Sequence, residues 1–592
     1  LLETLAILAQ SLETQQVTFV LDTSYRRTGQ LLRGNLRSRS PLIPMAERPG
    51  PQELAFQEQL KGRSSRARQP SVRGIPPGAL LLAAADTQMA AEGQWSGFSA
   101  GLFTYALVQH LWQATPPATL YVSLARASER MGQWSAQRPQ LQTSKQLKAP
   151  PLTYFVPPMA VRGAEGVAIA LEDDRSTFVL HLAGLPPTVL EYYQPNSRLS
   201  LSLENGTESE PEEIVQLQIR SREGLRATAK LVGEGLPEGF QFQPRLLARE
   251  RIRILPRHVG LRIALGADLE RIERVDATSA FSNIAVVSSI ASAGEQGADC
   301  LFAKSLKSVA PSESGDEESA KAAPETASRG YELFSIGRVS LPNTAGSPGE
   351  AIALAVERLT PKLKTLLAVK LLRLTLNEGS SHLKARARLV ALEPVPKIAI
   401  ERAALRSQHV LPVDKNASET SSSNSAVQTL APHSRIQYVV ENGGEHSLYV
   451  ALLGLDPLGR AIALYAPKAD GDVATLTQIE CQPGTSLTIP HKVNSDWRVA
   501  DAPGWAEMYL IVSRSPLTQT LKALSNCGSY SRSAGEQLQE AHNPLDVARS
   551  LLQDLHEAST VSPEVLGSAS EVYAFDVKAW ATFSFIYQVV QG

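Results

Sequence analysis

The chain reads as a multidomain protein, with an α/β domain first, all-β and α+β modules in the middle, and a β-sandwich-like domain toward the end. Three observations carry this. Its 592 residues exceed the roughly 250–300 that one core organises. Near the start, apolar strands alternate with helical apolar spacing, the mark of a mostly parallel sheet. Farther on, short period-two runs separated by Gly, Asn and Asp mark β modules.

Leu1, Leu2, Leu5, Leu8 and Leu12 recur as on the end of an amphipathic helix. Val17 to Asp22 then predicts a strand that ends in the polar turn Thr23-Ser24-Tyr25. Residues 25–75 carry ten Arg and one Lys against three Glu, with little apolar periodicity. They predict a long exposed loop with one short helix at 51–60. A second strand, Ala79 to Ala85, ends at Asp86-Thr87, and helices follow at Phe103 to Trp112 and near 118–131. These elements make up an α/β domain over 1–135.

Alternating runs such as Thr177 to Leu182 and Val215 to Ile219 predict a small β module over 150–230. The stretch 231–410 reads as α+β, with a strand at 249–255, a helix around 266–273 and a helix at 354–371 interrupted by Pro361. Within it, the Ser-, Glu-, Lys- and Ala-rich segment 304–329 predicts a disordered insertion. A Ser/Asn/Thr-rich linker covers 413–430. A β domain spans 432–525, and 526–592 forms a helical and mixed tail with a helix at 544–557.

With 58 Lys+Arg against 59 Asp+Glu the net charge is −1, which gives the whole molecule no bias toward nucleic acid or membrane. The Arg-rich loop holds only Tyr25 and Phe56 as aromatics, so it lacks the stacking platform of a nucleic-acid binder. Cys300, Cys481 and Cys527 form no CxxC pair, which favours a reducing compartment and a cytoplasmic location. No run of 18 apolar residues predicts a membrane span. The chain starts Leu1-Leu2-Glu3 without an initiating Met, as a fragment or a processed product would. The ten histidines make no HExxH, and no GxxxxGK[ST] or GxGxxG is present, so neither zinc nor a nucleotide cofactor is expected.

Ser24 stands where a strand of an open α/β sheet delivers its chemistry. A serine nucleophile needs a base and oxyanion donors. The first histidine, His110, falls inside a helix, and His181 belongs to the next module. The competing role for Ser24 is a turn residue bonded to local backbone. Asp22 is a candidate ligand-facing carboxylate for a basic side chain, or a cap of the following turn. Asp86 and Glu92, after the second strand, are placed to make the same crevice acidic. An acidic crevice beside an arginine-rich loop also admits the protein's own loop.

Val17 to Tyr25, Ala83 to Glu92 and Gly97 to Leu107 together resemble the caspase-like peptidases that include metacaspases and bacterial orthocaspases. In that family the nucleophile segment reads Asp-x-Cys-(His or Tyr)-Ser-Gly; here it is Asp22-Thr23-Ser24-Tyr25-Arg26-Arg27. Ser24 takes the place of the Cys, and two arginines replace Ser-Gly. The family's histidine lies roughly 50 residues upstream of the nucleophile, where this chain has no room for it. Asp22 matches the aspartate that lines the family's pocket for Arg or Lys. The later part is similar to the carboxyl-terminal regions of cyanobacterial caspase-family proteins. Within it, 432–525 resembles a domain of unknown function found beside caspase-like and kinase domains, on Tyr438, Asn442, Gly454-Leu455-Asp456 and Ala463 to Pro467.

The resemblance implies a catalytically inactive caspase homologue, acting as a regulatory or protein-interaction scaffold with a pocket for basic peptides formed by Asp22 and Asp86. The alternative is an Arg- or Lys-specific endopeptidase that uses Ser24 with a histidine from sequence absent here. Protein partners are expected, either an active caspase-like chain or basic peptides. Calcium enters by family resemblance only, and no other cofactor is expected.

Overall fold

In the computed structural model, strand Thr18–Leu21 pairs in parallel with Ala79–Leu82, and Gln140–Thr143 adds to the other side of Ala79–Leu82 in antiparallel fashion. All four residues of Ala79–Leu82 are buried, as a central strand covered on both faces requires. Helices Leu102–Gln113 and Leu120–Gly132 cover this sheet through Leu102, Phe103, Ala106, Leu120 and Leu124. The structure describes residues 2–14, 17–24, 32–39, 49–65, 67, 78–113, 119–143, 163–202, 213–233, 235–238, 240–244, 246–306, 329–404, 406, 428–468, 475–491, 497–526, 536–561 and 571–590.

The arginine-rich stretch, expected as loop with one short helix, contains more order than that. Helix Pro51–Arg63 forms, and so does a hairpin of Leu32–Arg33 and Leu36–Ser38. This hairpin joins Ala91–Trp95 and Phe98–Gly101 in a second small sheet. Leu36 enters the core beside Phe103, and with the buried Asn35 it anchors a segment otherwise too polar to reveal itself.

The β module is a closed barrel. Its strands run Arg198–Ser202, Glu213–Glu223, Arg226–Val232, Thr177–His181, Gly166–Leu171 and Leu246–Pro256, and the last pairs again with the first. Phe178, Leu180, Leu199, Leu217, Ala229 and Ala248 fill the interior, as in other small barrels. The closing strand falls outside the 150–230 span read from the sequence. Leu246–Pro256 also carries Val572–Asp576 on its edge, so the chain's tail is stitched to the barrel.

Next comes a parallel unit, Val287–Ser292, Leu261–Leu265 and Cys300–Lys304, with Tyr331–Phe334 antiparallel at its edge. The helix expected around 266–273 begins instead at Arg271 and runs to Ser282. A reciprocal Glu270/Glu273 capping box starts it. Residues 307–328, nearly all of the expected insertion, lie outside the described residues.

Helix Ile352–Leu374 runs unbroken through Pro361. Pro361 and Glu357 both face solvent, where water takes the bond that the missing N–H cannot supply. This helix lies between the parallel sheet and the carboxyl-terminal domain. It shares one core with Ile263 and Phe302 of the sheet and with Tyr509, Ile511 and Leu551.

The carboxyl-terminal domain is two facing sheets. One holds Lys397–Ala403, Ala385–Ala391, Ile436–Asn442 and Ser486–Ile489; the other is built on Trp580–Val589, Gly504–Ser513, Leu448–Leu455 and Ala461–Tyr465. Tyr438, Leu452, Leu510 and Phe583 meet between them. The sandwich therefore takes strands from both sides of the expected 432–525 segment. The 413–430 linker lies outside the described residues up to 427, and Thr429–Leu430 pairs in parallel with Trp580–Val589.

Candidate functional site

Leu21 ends its strand against Leu82, and the Ala83 N–H donates to the Leu21 carbonyl. The chain then releases Asp22, Thr23 and Ser24 at the carboxyl ends of the two parallel strands.

Ser24 is 8% exposed. Its N–H donates to the Arg39 carbonyl at 3.1 Å, and its Oγ accepts the Ala90 N–H at 3.0 Å. The Ala90 carbonyl, 3.5 Å from the same Oγ, already takes the Arg39 N–H at 2.9 Å. Ser24 thus joins three strands' ends, and both its backbone donor and its hydroxyl are engaged. The rest of the expected oxyanion turn, Tyr25 to Arg27, lies outside the described residues.

Asp22 Oδ2 accepts the Thr104 N–H at 3.1 Å and the Thr104 hydroxyl at 2.7 Å. It therefore caps the N-terminal turn of helix Leu102–Gln113, where a carboxylate also meets the positive end of the helix dipole. The approach needs glycine at 101, because a Cβ there would collide with the carboxylate. Asp22 Oδ1 is buried and without a hydrogen-bond partner.

Arg39 lies across this carboxylate. Its Nε donates to the Asp22 carbonyl at 2.8 Å and stands 3.7 Å from Oδ1, while Nη1 donates to Glu92 Oε2 at 3.1 Å. Asp86 sits on an exposed turn after the second strand; of the acidic residues read from the sequence, it is Asp22 and Glu92 that share a bound group. That group is an arginine from the chain's own basic segment. Composition marked the segment as cationic, but no local signal singles out Arg39 or Thr104, which meet Asp22 from 17 and 82 residues away.

A cavity of about 250 Å³ adjoins these residues, lined among others by Arg33, Arg37, Ser38, Met89, Gln137 and Gly337. The hairpin that forms one wall is tied to the parallel unit. Asn35 Nδ2 donates to the Gln296 carbonyl at 2.8 Å and its Oδ1 accepts the Gly294 N–H at 2.7 Å. Within the first unit, Trp95 packs edge-on against Tyr105 and Trp134, with ring centroids 4.5 and 5.8 Å apart.

His110 is not placed to activate Ser24. It lies six residues beyond Thr104 on the same helix, about 9 Å along the axis. Burial, with Arg126, Arg130 and Arg402 nearby, pushes its imidazole down to about 3, and its Nε2 has no partner. An unfolded histidine takes up its proton near 6.5, so between that pH and about 3 the unfolded state binds more protons and stability falls as pH falls. The expected loss through His110 is on the order of 1 kcal/mol per pH unit below about 6.5. Denaturant titrations over that range should show a shallower slope for His110→Gln; an unchanged slope would contradict this role for His110.

Among the described residues no group of three or more His, Cys, Asp or Glu is placed to hold a metal ion, and no helix is long and apolar enough to cross a membrane. No protein-family model, curated protein or solved structure matches the chain.

Proposed function

We propose that this protein is a catalytically silent caspase-like homologue that serves as a protein-interaction scaffold, with the Asp22–Glu92 crevice as a receptor for a basic side chain. The observation that carries the reading is Arg39, seated between the two carboxylates. A guanidinium is the group such a crevice selects, because its fork of donors spans two acceptors.

The fit of Arg39 is incomplete. Its Nε is committed to a carbonyl, which leaves Asp22 Oδ1 buried and unbonded, and such an atom costs about 1–3 kcal/mol. The Arg39 side chain is 34% exposed, and pairs at that level of exposure contribute only about 0–1 kcal/mol. An arginine or lysine presented by a partner, entering from solvent and reaching Oδ1, can displace it. Ser24 supports the silent half of the reading, since its hydroxyl accepts the Ala90 N–H and among the described residues no histidine bonds to it.

Fluorogenic peptides ending in Arg or Lys test both halves, with and without calcium. The unmodified protein is expected to bind without turnover, and Arg39→Ala to bind more tightly by roughly threefold to tenfold. Peptide affinity that ignores both Arg39→Ala and Glu92→Gln would remove the receptor. Turnover that disappears in Ser24→Ala would replace the scaffold reading with an Arg/Lys-directed endopeptidase.

A further inference from the structure

A second cavity, about 670 Å³, opens between helix Ile352–Leu374, the turn at Gly459 and the start of helix Pro544–Ala558. Its size lies within the range of small-molecule sites, about 300–1,000 Å³. Lys362, Lys364, Arg460 and Arg549 line it, with Glu540 and Asp546.

Not all of these charges are free. Arg460 is committed to Asp456, with Nε 2.7 Å and Nη2 2.6 Å from Oδ2. Arg358, also on the wall, is held by Glu350 at 2.8 Å and by the Thr344 carbonyl at 2.9 Å. That leaves Lys362, Lys364 and Arg549, none of which makes an ion pair with a carboxylate among the described residues.

Lys362 is the informative one. It is half-buried, and its ammonium donates to the Gly459 carbonyl at 2.6 Å. Gly459 holds φ +69°, a backbone conformation that favours glycine, and its position lies close against Lys362 Nζ. Burial pushes Lys362 below the usual lysine range, and Asp456 offsets only part of that. A cation drawn out of water toward a neutral carbonyl is under-compensated, and an anion in the cavity would complete its neutralisation.

The helix start adds donors of the right kind. Pro544 carries no N–H, the Asn543 side chain makes no cap, and the next N–H groups are those of Leu545 and Asp546. Glu540 and Asp546 limit the surplus of positive charge, which favours a ligand of one or two phosphoryl charges over a highly charged polymer.

We propose that this cavity binds a small phosphate-bearing molecule, with Lys362, Lys364 and Arg549 as its cationic contacts. The assignment is independent of the Asp22–Glu92 crevice.

Calorimetric titration of the full chain with inorganic phosphate and with AMP tests it. Saturable binding is expected for at least one of them, with AMP the tighter if an ester is the natural ligand and phosphate if the free ion is. The double variant Lys364→Ala/Arg549→Ala alters two exposed side chains, and its thermal melt verifies folding. Loss of these contacts should weaken binding by roughly tenfold or more, and Lys362→Met should weaken it as well. Absence of saturable binding by the unmodified protein, unchanged affinity in the folded double variant, or saturation only by a Glu-rich peptide would overturn the assignment.

Discussion

Replacing Arg253 by Met destabilises the protein by about 3–5 kcal/mol, the loss expected when one partner of a buried ion pair is removed. The Arg253 and Glu250 side chains are both 0% exposed. Two parallel bonds join them, Nε to Oε1 at 2.9 Å and Nη2 to Oε2 at 2.7 Å. The remaining nitrogen, Nη1, donates to the carbonyls of Leu374 and Leu376 at 2.9 and 2.8 Å. Leu374 ends the long helix, so the guanidinium also sits where a helix dipole favours a cation. Methionine fills much of the volume but leaves a buried carboxylate with only the Ser380 hydroxyl, 2.9 Å from Oε2, and takes the Arg253 donor from two carbonyls. Urea unfolding of the single variant checks the loss. The double variant Arg253→Met/Glu250→Leu should recover only part of it: the uncompensated carboxylate is gone, but the Leu374 and Leu376 carbonyls and the Ser380 hydroxyl, which donates to Glu250 Oε2 at 2.9 Å, are left without that partner. A single-variant loss under about 1 kcal/mol would mean that water reaches Glu250.

Trp580→Ala is the second large effect, about 3–5 kcal/mol. The side chain is fully buried and packs against Phe575, with ring centroids 5.4 Å apart. Its Nε1 donates to the Thr375 carbonyl at 2.9 Å, and Arg253 lies over the ring, 5.7 Å from its centroid. Truncation leaves a cavity, an orphaned carbonyl just past the long helix and a less supported guanidinium. Trp580→Phe should lose only about 1–2 kcal/mol, mainly the hydrogen bond. Because Trp580 and Arg253 touch, the two losses should not add. Strict additivity in a double-mutant cycle would place the two residues in separate networks.

These two residues also show where sequence reasoning stops. The final Phe583 to Tyr587 run reads only as part of a mixed tail and is a strand in the structure, whereas the strand character of 249–255 is legible in the sequence. That Arg253 points into the protein is not, because an arginine on a period-two strand reads as solvent-facing until the carboxylate three residues away and the helix end arrive to pair with it. Pro361 misled in the opposite direction: it suggests a break, yet the helix continues because the interrupted turn faces water. At the candidate site the position of Ser24 and Asp22, after a buried strand, was legible. Their partners were not: Ala90, Thr104 and Arg39 lie 66, 82 and 17 residues away from them.

Local patterning was enough to set the element types: parallel-sheet strands at 18–21 and 79–82, alternating strands from 166 to 232, helix Pro544–Ala558, and a cationic stretch beside an acidic strand end. Side-chain periodicity is a property of a few consecutive residues, and it survives in any register. Long-range packing chose which edges met, so that Leu246–Pro256 closed the barrel, Trp580–Val589 entered the sandwich and Arg39 settled over Asp22. Those choices depend on distant surfaces competing for the same partners, and that competition leaves no local pattern to read.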